Sequence, residues 1–131
     1  MREKIQLKDL GLVDYKAAWD LQEELFQFVV SHKKIQSSDE QPEPSPHQLL
    51  MVEHPHVYTL GKSGKIDHLL VSEEALAAKG ATFYKINRGG DITYHGPGQL
   101  VVYPILDLET FFKDIHKYLR LLEEAVIRTL K

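Results

Sequence analysis

Eleven consecutive residues, "RGGDITYHGPG" (88–98), hold four glycines and a proline and lead straight into the strand-forming run "QLVVYPILDL". Glycine is entropically costly to order, so such a cluster marks a place where the backbone does something that side chains would prevent. "NRGGD" reads as a hairpin-like turn in which Gly89 and Gly90 can take positive φ. "HGPGQ" reads as a second tight turn, with Pro97 at the position of fixed φ and Gly98 behind it, as in a type II turn. Between them "DITYH" alternates, with Ile92 and Tyr94 on one face and Asp91, Thr93 and His95 on the other. Along the chain, hairpin-type neighbours of this kind are mixed with helices. That favours an α+β arrangement over a doubly wound parallel sheet.

The remaining segments fit that choice. Ile5 and Leu7 alternate in a short edge strand. "YKAAWDLQEELFQFVVSHKK" repeats apolar residues at steps of three and four behind Asp14, which predicts a helix capped by that aspartate, with Trp19 and Phe26 in the core. "SSDEQPEPSPH" (37–47) is expected to be a mobile, proline-rich loop rather than a domain boundary. "QLLMVEH" (48–54) reads as a buried strand. The chain is expected to turn at Pro55 and resume as a strand through Val57, Tyr58 and Thr59. "SEEALAAKG" is a short helix with Ser72 as cap, Glu73 and Glu74 at its positive end and Gly80 closing it. "ATFYKIN" is a strand. In the last segment Phe112, Ile115, Leu119, Leu122, Val126 and Leu130 line one face of an amphipathic helix. The expected order is β-α-β-β-α-β-β-α in a single domain over 1–131, a mixed sheet with packed helices.

Composition narrows the function. With 131 residues, 43% of them hydrophobic, the chain can bury a core, covering roughly two-thirds of the surface its unfolded form exposes. A net charge of −3 argues against a nucleic-acid partner. The absence of cysteine excludes a disulfide scaffold, a thiolate zinc site and a cysteine nucleophile within these residues. The opening "MREKIQLKDLGL" has no apolar h-region, and "QLVVYPIL" is too short to span a bilayer, so a cytoplasmic protein without membrane contact is expected. "GKSGK" (61–65) is not a phosphate loop: His56 stands where the motif needs glycine, and Gly64 interrupts the helix that should follow. Lys62 and Lys65 there form either a plain polar loop or a local basic patch. His54 and His56 share a strand face, but Pro55 between them makes the backbone irregular and a zinc site is disfavoured. The stretch 88–95 itself reads equally as two ordinary turns around a strand or as the wall of a site. In the second reading one side is apolar, Thr93 and His95 bond from the other, and backbone N–H groups are open to a carbonyl oxygen or an anion.

The string "RGGDITYHGPGQLVVYPILDL", preceded by "VEHPHVYTLGKSGKIDHLL", resembles the lipoyl(octanoyl) transferases of lipoate biosynthesis, and the resemblance covers about residues 5 to 131. It implies a fold similar to the biotin and lipoate protein ligase catalytic domain. It also implies transfer of an octanoyl group from acyl carrier protein to a lysine of lipoyl domains, in 2-oxoacid dehydrogenases and the glycine cleavage H protein, with no cofactor. Carried over by motif, the residues lining the acyl pocket are Arg88, Gly89, Gly90, Asp91, Ile92, Thr93, Tyr94 and His95. The family's reaction uses a cysteine thiolate and a lysine from its C-terminal part, and neither motif matches here. Lys131 matches neither, and its helix reaches the last residue without a capping glycine. The chain is therefore expected to be the N-terminal part of a longer enzyme, inactive alone, or else a natural short form. Two other readings stay open: a lipoate or biotin ligase, which would activate a free acid with ATP, and a non-catalytic module that binds acyl carrier protein through Lys62, Lys65 and Arg88.

Overall fold

The structure is a computed structural model that describes residues 3–36 and 46–131. Among these residues it has six strands and three helices: β1 (Ile5–Leu12), α1 (Tyr15–Gln36), β2 (His47–Glu53), β3 (Val57–Leu60), α2 (Glu73–Ala78), β4 (Thr82–Lys85), β5 (Ile92–His95), β6 (Val101–Ile105) and α3 (Ile115–Thr129). Two 3₁₀ turns, Ile66–His68 and Leu108–Thr110, complete the order. The α+β class and mixed strand pairing follow the expectation. The proline-rich segment lies, up to residue 45, outside the described residues, whereas its last residue, His47, opens β2 and is buried.

The strands form two three-stranded sheets, ordered β1-β2-β6 and β4-β3-β5. Each sheet has the same plan. Its central strand has a parallel neighbour joined by a helical crossover (β1 to β2 through α1, β3 to β4 through α2) and an antiparallel neighbour on the other side. The hairpin expectation at "NRGGD" is corrected by this plan. β4 and β5 flank β3 on opposite sides, so the glycine turn carries the chain across the end of β3 instead of folding one strand back on its neighbour. "HGPGQ" is the tight turn expected there, with Gly98 at φ +86° and Gln99 N bonded to Gly96 O at 3.2 Å, and it forms the corner at which the chain leaves one sheet, at β5, and enters the other as β6. The chain makes the matching change of sheet at His54–His56, between β2 and β3. Because β2 pairs antiparallel with β6 and β3 with β5, a single bent ribbon of two strands runs through both sheets.

The helix signals are realised as read. Asp14 Oδ2 accepts the Lys16 and Ala17 amides at 3.0 and 3.2 Å, capping α1. Ser72 Oγ accepts the Ala75 amide at 3.2 Å, and Gly80 closes α2 at φ +73°. The interior is built on Ala18 and Val29 of α1, Leu50 and Val52 of β2, Val57 and Leu60 of β3, Leu76 of α2 and Ala81. The two large aromatics expected there depart from the reading. Phe26 is 52% exposed and Trp19 half-buried, and both line an open cavity of about 560 Å³ between α1 and the end of β6, with Val29, Pro104 and Ile105 on its walls. α3 follows its predicted register, yet none of its residues is buried: Ile115, Leu119, Leu122 and Val126 all stand exposed, as does Leu130 just beyond its end.

Candidate functional site

The residues with reactive side chains gather where the bent ribbon changes sheets. Register fixes the faces. Opposite Thr59 and Val57 of β3 stand Thr93 and His95 of β5, and opposite Thr59 on the other side stands Tyr84 of β4. This inner face is closed by Tyr15, the first residue of α1. Its ring stacks on Tyr84 (centroids 5.7 Å apart, 27° between planes) and on His95 (6.3 Å, 11°), and meets His54 edge-on at 5.2 Å. Ile92 and Tyr94 point to the opposite face, where Tyr94 lies 5.1 Å from Tyr58 and its hydroxyl bonds His56 Nδ1 at 2.6 Å. The eight residues expected to line one pocket are therefore divided: Thr93 and His95 share the inner face with Tyr15, and Ile92 and Tyr94 share the outer one.

His54 is fully buried with both ring nitrogens engaged. A carbonyl can only accept, so Nδ1–H donates to Val13 O at 2.7 Å, and Nε2 then accepts the Tyr103 hydroxyl at 2.7 Å. Burial, with the neighbouring Tyr15 adding to it and Gln22 opposing, pushes the Tyr103 phenol far above the ordinary tyrosine value. Tyr15 is raised too, by burial, with the Arg88 charge working against it. These shifts keep both hydroxyls protonated, as hydrogen-bond donors, through the neutral range. Among the described residues no group of three or more histidines, cysteines and carboxylates is placed to hold a metal ion.

The glycine turn is held by its carbonyl oxygens. Arg88 O accepts from Lys62 N (2.9 Å), Gly89 O from Arg88 Nη1 (2.7 Å), Gly90 O from Ser63 Oγ (3.1 Å) and Asp91 O from Gly61 N (3.2 Å) and Arg88 Nη2 (2.9 Å). In a planar trans peptide the N–H points opposite to the preceding carbonyl. Anchoring the carbonyls of residues 88 to 90 against this scaffold therefore turns the amides of Gly89, Gly90 and Asp91 away from it. Gly90 needs its freedom, at φ +92°, whereas a Cβ on Gly89 would meet nothing within 4 Å. Both glycines are exposed. Arg88 is spent on this scaffold: Nη2 also bonds Thr59 Oγ1 at 2.9 Å, so its guanidinium braces the turn from within instead of presenting charge to a partner. The Asp91 carboxylate bonds His68 Nδ1. Desolvation works to raise that carboxyl, but the His68 bond and the Ile92 and Lys65 amides outweigh it and hold it below the ordinary aspartate range.

Lys62 and Lys65 are exposed in the adjoining loop, and with Arg88 engaged they are what remains of the expected basic patch. Sequence reading missed Tyr15 and Tyr103, which entered it only as helix and strand formers. The signal that finds them is three-dimensional: α1 begins at the sheet corner, and β6 brings Tyr103 under His54 from far along the chain.

A sequence profile described as the lipoyl protein ligase A/B catalytic domain matches residues 14–131. The chain is 68% identical over 130 residues to an octanoyltransferase of Flavobacterium psychrophilum and 66% identical to one of Flavobacterium johnsoniae. Each alignment takes in 99% of this chain but 56% of the relative, so the chain spans about half the length of the curated relatives it matches. Its fold is similar to that of a solved structure from T. acidophilum, described as a candidate lipoate protein ligase, with a TM-score of 0.53 at 18% identity over 99% of this chain and 48% of that one. The same protein was also solved with bound lipoic acid. With its two-sheet fold, its braced glycine turn and a profile match along nearly its whole length, the chain belongs to the lipoyl protein ligase A/B catalytic domain family, and its relatives there are octanoyltransferases.

Proposed function

We propose that the chain carries the acyl-binding part of an octanoyltransferase, which moves an octanoyl group from acyl carrier protein to a lysine of lipoyl domains. The observation that carries this reading is the clamped turn at Arg88–Asp91, its amides turned away from the scaffold that holds its carbonyls, in a chain 68% identical to an octanoyltransferase; β5 runs from this turn to His95, which stacks on Tyr15 at the strand's other end. Exposed glycines let a thioester lie against the main chain, and preorganised N–H groups suit the negative charge that develops on its carbonyl oxygen. Burying the eight-carbon tail adds roughly 0.8 kcal/mol per methylene. Arg88, Gly89, Gly90 and Asp91 form the turn, Thr93 and His95 the polar inner wall. Ile92 and Tyr94 support β5 from behind. The chain has no cysteine, so the thiolate that takes up the acyl group comes from residues other than these. Lys62 and Lys65 supply the positive surface for an acidic carrier protein.

The test uses the gene product at the length of its relatives, with octanoyl-carrier protein and a lipoyl domain, read by the mass of the lipoyl domain. Gly89→Val is the informative variant, because the position is open and its φ is not in the left-handed region. A folded Gly89→Val enzyme is expected to lose transfer. Normal transfer by that variant would reject the acyl-pocket assignment, and labelling that required ATP and free octanoate would reject the transferase reading.

A further inference from the structure

His95 Nδ1 lies 2.9 Å from Gln99 Oε1. An amide oxygen only accepts, so Nδ1 carries the ring proton and the lone pair of the neutral imidazole is on Nε2. In no hydrogen bond among the described residues does His95 Nε2 take part, while its ring lies parallel to Tyr15 and 6.0 Å from His54. The corner between the sheets places Gln99 for this contact: Gly98 turns at φ +86°, and Gln99 N closes on Gly96 O at 3.2 Å. Gly96 beneath it leaves room for the Tyr94 ring, since a Cβ there would come within 2.6 Å of Tyr94 Cζ and displace that side chain. The corner that passes the chain between sheets thus also returns an acceptor to the histidine at the end of β5.

We propose that Gln99 is a positioning residue that holds His95 in the Nδ1–H tautomer, so that Nε2 accepts a proton from the amine attacking the acyl thioester. The ammonium of the incoming lysine gives one proton to Nε2, producing an imidazolium whose Nδ1–H stays on Gln99. The free amine then forms the C–N bond, the C–S bond breaks, and the surplus proton on nitrogen passes to the departing thiolate. The identity of the amine rests on the octanoyl-transfer reading; the tautomer does not.

Nitrogen-15 NMR of the histidine rings in the 131-residue chain, at a pH where His95 is neutral, reads the tautomer directly. The wild type is expected to show a pyrrole-type Nδ1 and a pyridine-type Nε2. Gln99→Leu should shift the tautomer ratio about fivefold toward Nε2–H, the ratio that a net hydrogen bond of about 1 kcal/mol sustains, and Gln99→Glu, which keeps an acceptor, should restore it. A wild-type proton on Nε2, or a leucine variant with an unchanged ratio, overturns the proposal, and the wild-type spectrum decides alone should the leucine variant unfold. In the gene product at relatives' length, Gln99→Leu should lower kcat for transfer while leaving KM for the octanoyl thioester unchanged, with rescue by Gln99→Glu. An unchanged kcat beside a shifted tautomer removes the positioning role. Absence of transfer in the wild type rejects the function instead and leaves the tautomer result standing.

Discussion

Four glycines near the site look alike in the sequence and differ in what the fold asks of them. Gly61 sits where a Cβ would overlap the Gly90 carbonyl oxygen and come within 2.8 Å of Gly89 O, both of them backbone atoms that cannot step aside. Gly61→Ala is expected to cost about 1–3 kcal/mol through overpacking, whereas Gly89→Ala should fall within about 0.5 kcal/mol of wild type; urea denaturation of the two variants checks the contrast. Gly90 and Gly98 occupy left-handed backbone that other residues rarely adopt. The bond between buried His54 and half-buried Tyr103 gives a second expectation. Tyr103→Phe removes the donor to a histidine nitrogen sealed from water, a loss of about 1–3 kcal/mol, again read as a shift in denaturation midpoint.

Elements show most directly what could be read beforehand. Local signals were legible: Asp14 and Ser72 cap the helices they were expected to cap, and Gly80 ends α2 in the expected conformation. Long-range choices were not. "DITYH" alternates in either sheet or hairpin, and nothing in it says that β5 pairs with β3 rather than β4. Phe26 has the helical spacing of a core residue, but spacing gives only the side of the helix, not what covers it. The wall of the site was half legible for the same reason, since alternation separated Thr93 and His95 from Ile92 and Tyr94 but could not say which face meets α1. α3 sharpens the point. Its apolar stripe is as regular as any in the chain, and it stands uncovered among the described residues, beside a small apolar groove of about 170 Å³ that includes Phe112, Tyr118, Leu121 and Leu122. A patch of this kind promotes association. The isolated chain is expected to self-associate in sedimentation velocity, and the double substitution Leu119→Glu, Leu122→Glu should shift it toward monomer without loss of helical circular dichroism.

For the molecule as a whole, two half-buried phenols set a limit at high pH. The folded-state values of Tyr15 and Tyr103 lie above the ordinary 10.0, so the unfolded chain gives up these protons first. Their contribution to stability is fully present below pH 10.0 and is lost as pH climbs from there toward the raised folded values. Thermal unfolding followed across that range should show a falling midpoint, and the Tyr103→Phe variant, less stable at neutral pH, should fall less steeply. Asp91 acts at the other end. Its carboxyl is held below 3.8 in the fold, so the support it lends to the glycine turn is complete above that value and fades as acid protonates it.

The two-strand ribbon that bends from one sheet into the other has a consequence for how the molecule opens. β1 and β4 sit on its margins, but the corner holding His54 and His95 is closed only when Val52 meets Val101 and Val57 meets His95, contacts between distant parts of the chain. Opening that corner breaks pairings between distant parts of the chain in both sheets at once, so its amides are expected to exchange with solvent deuterium more slowly than those of β1 and β4. The same arrangement makes this corner among the last parts to take shape as the chain folds, since its pairing must wait for the longest loops to close.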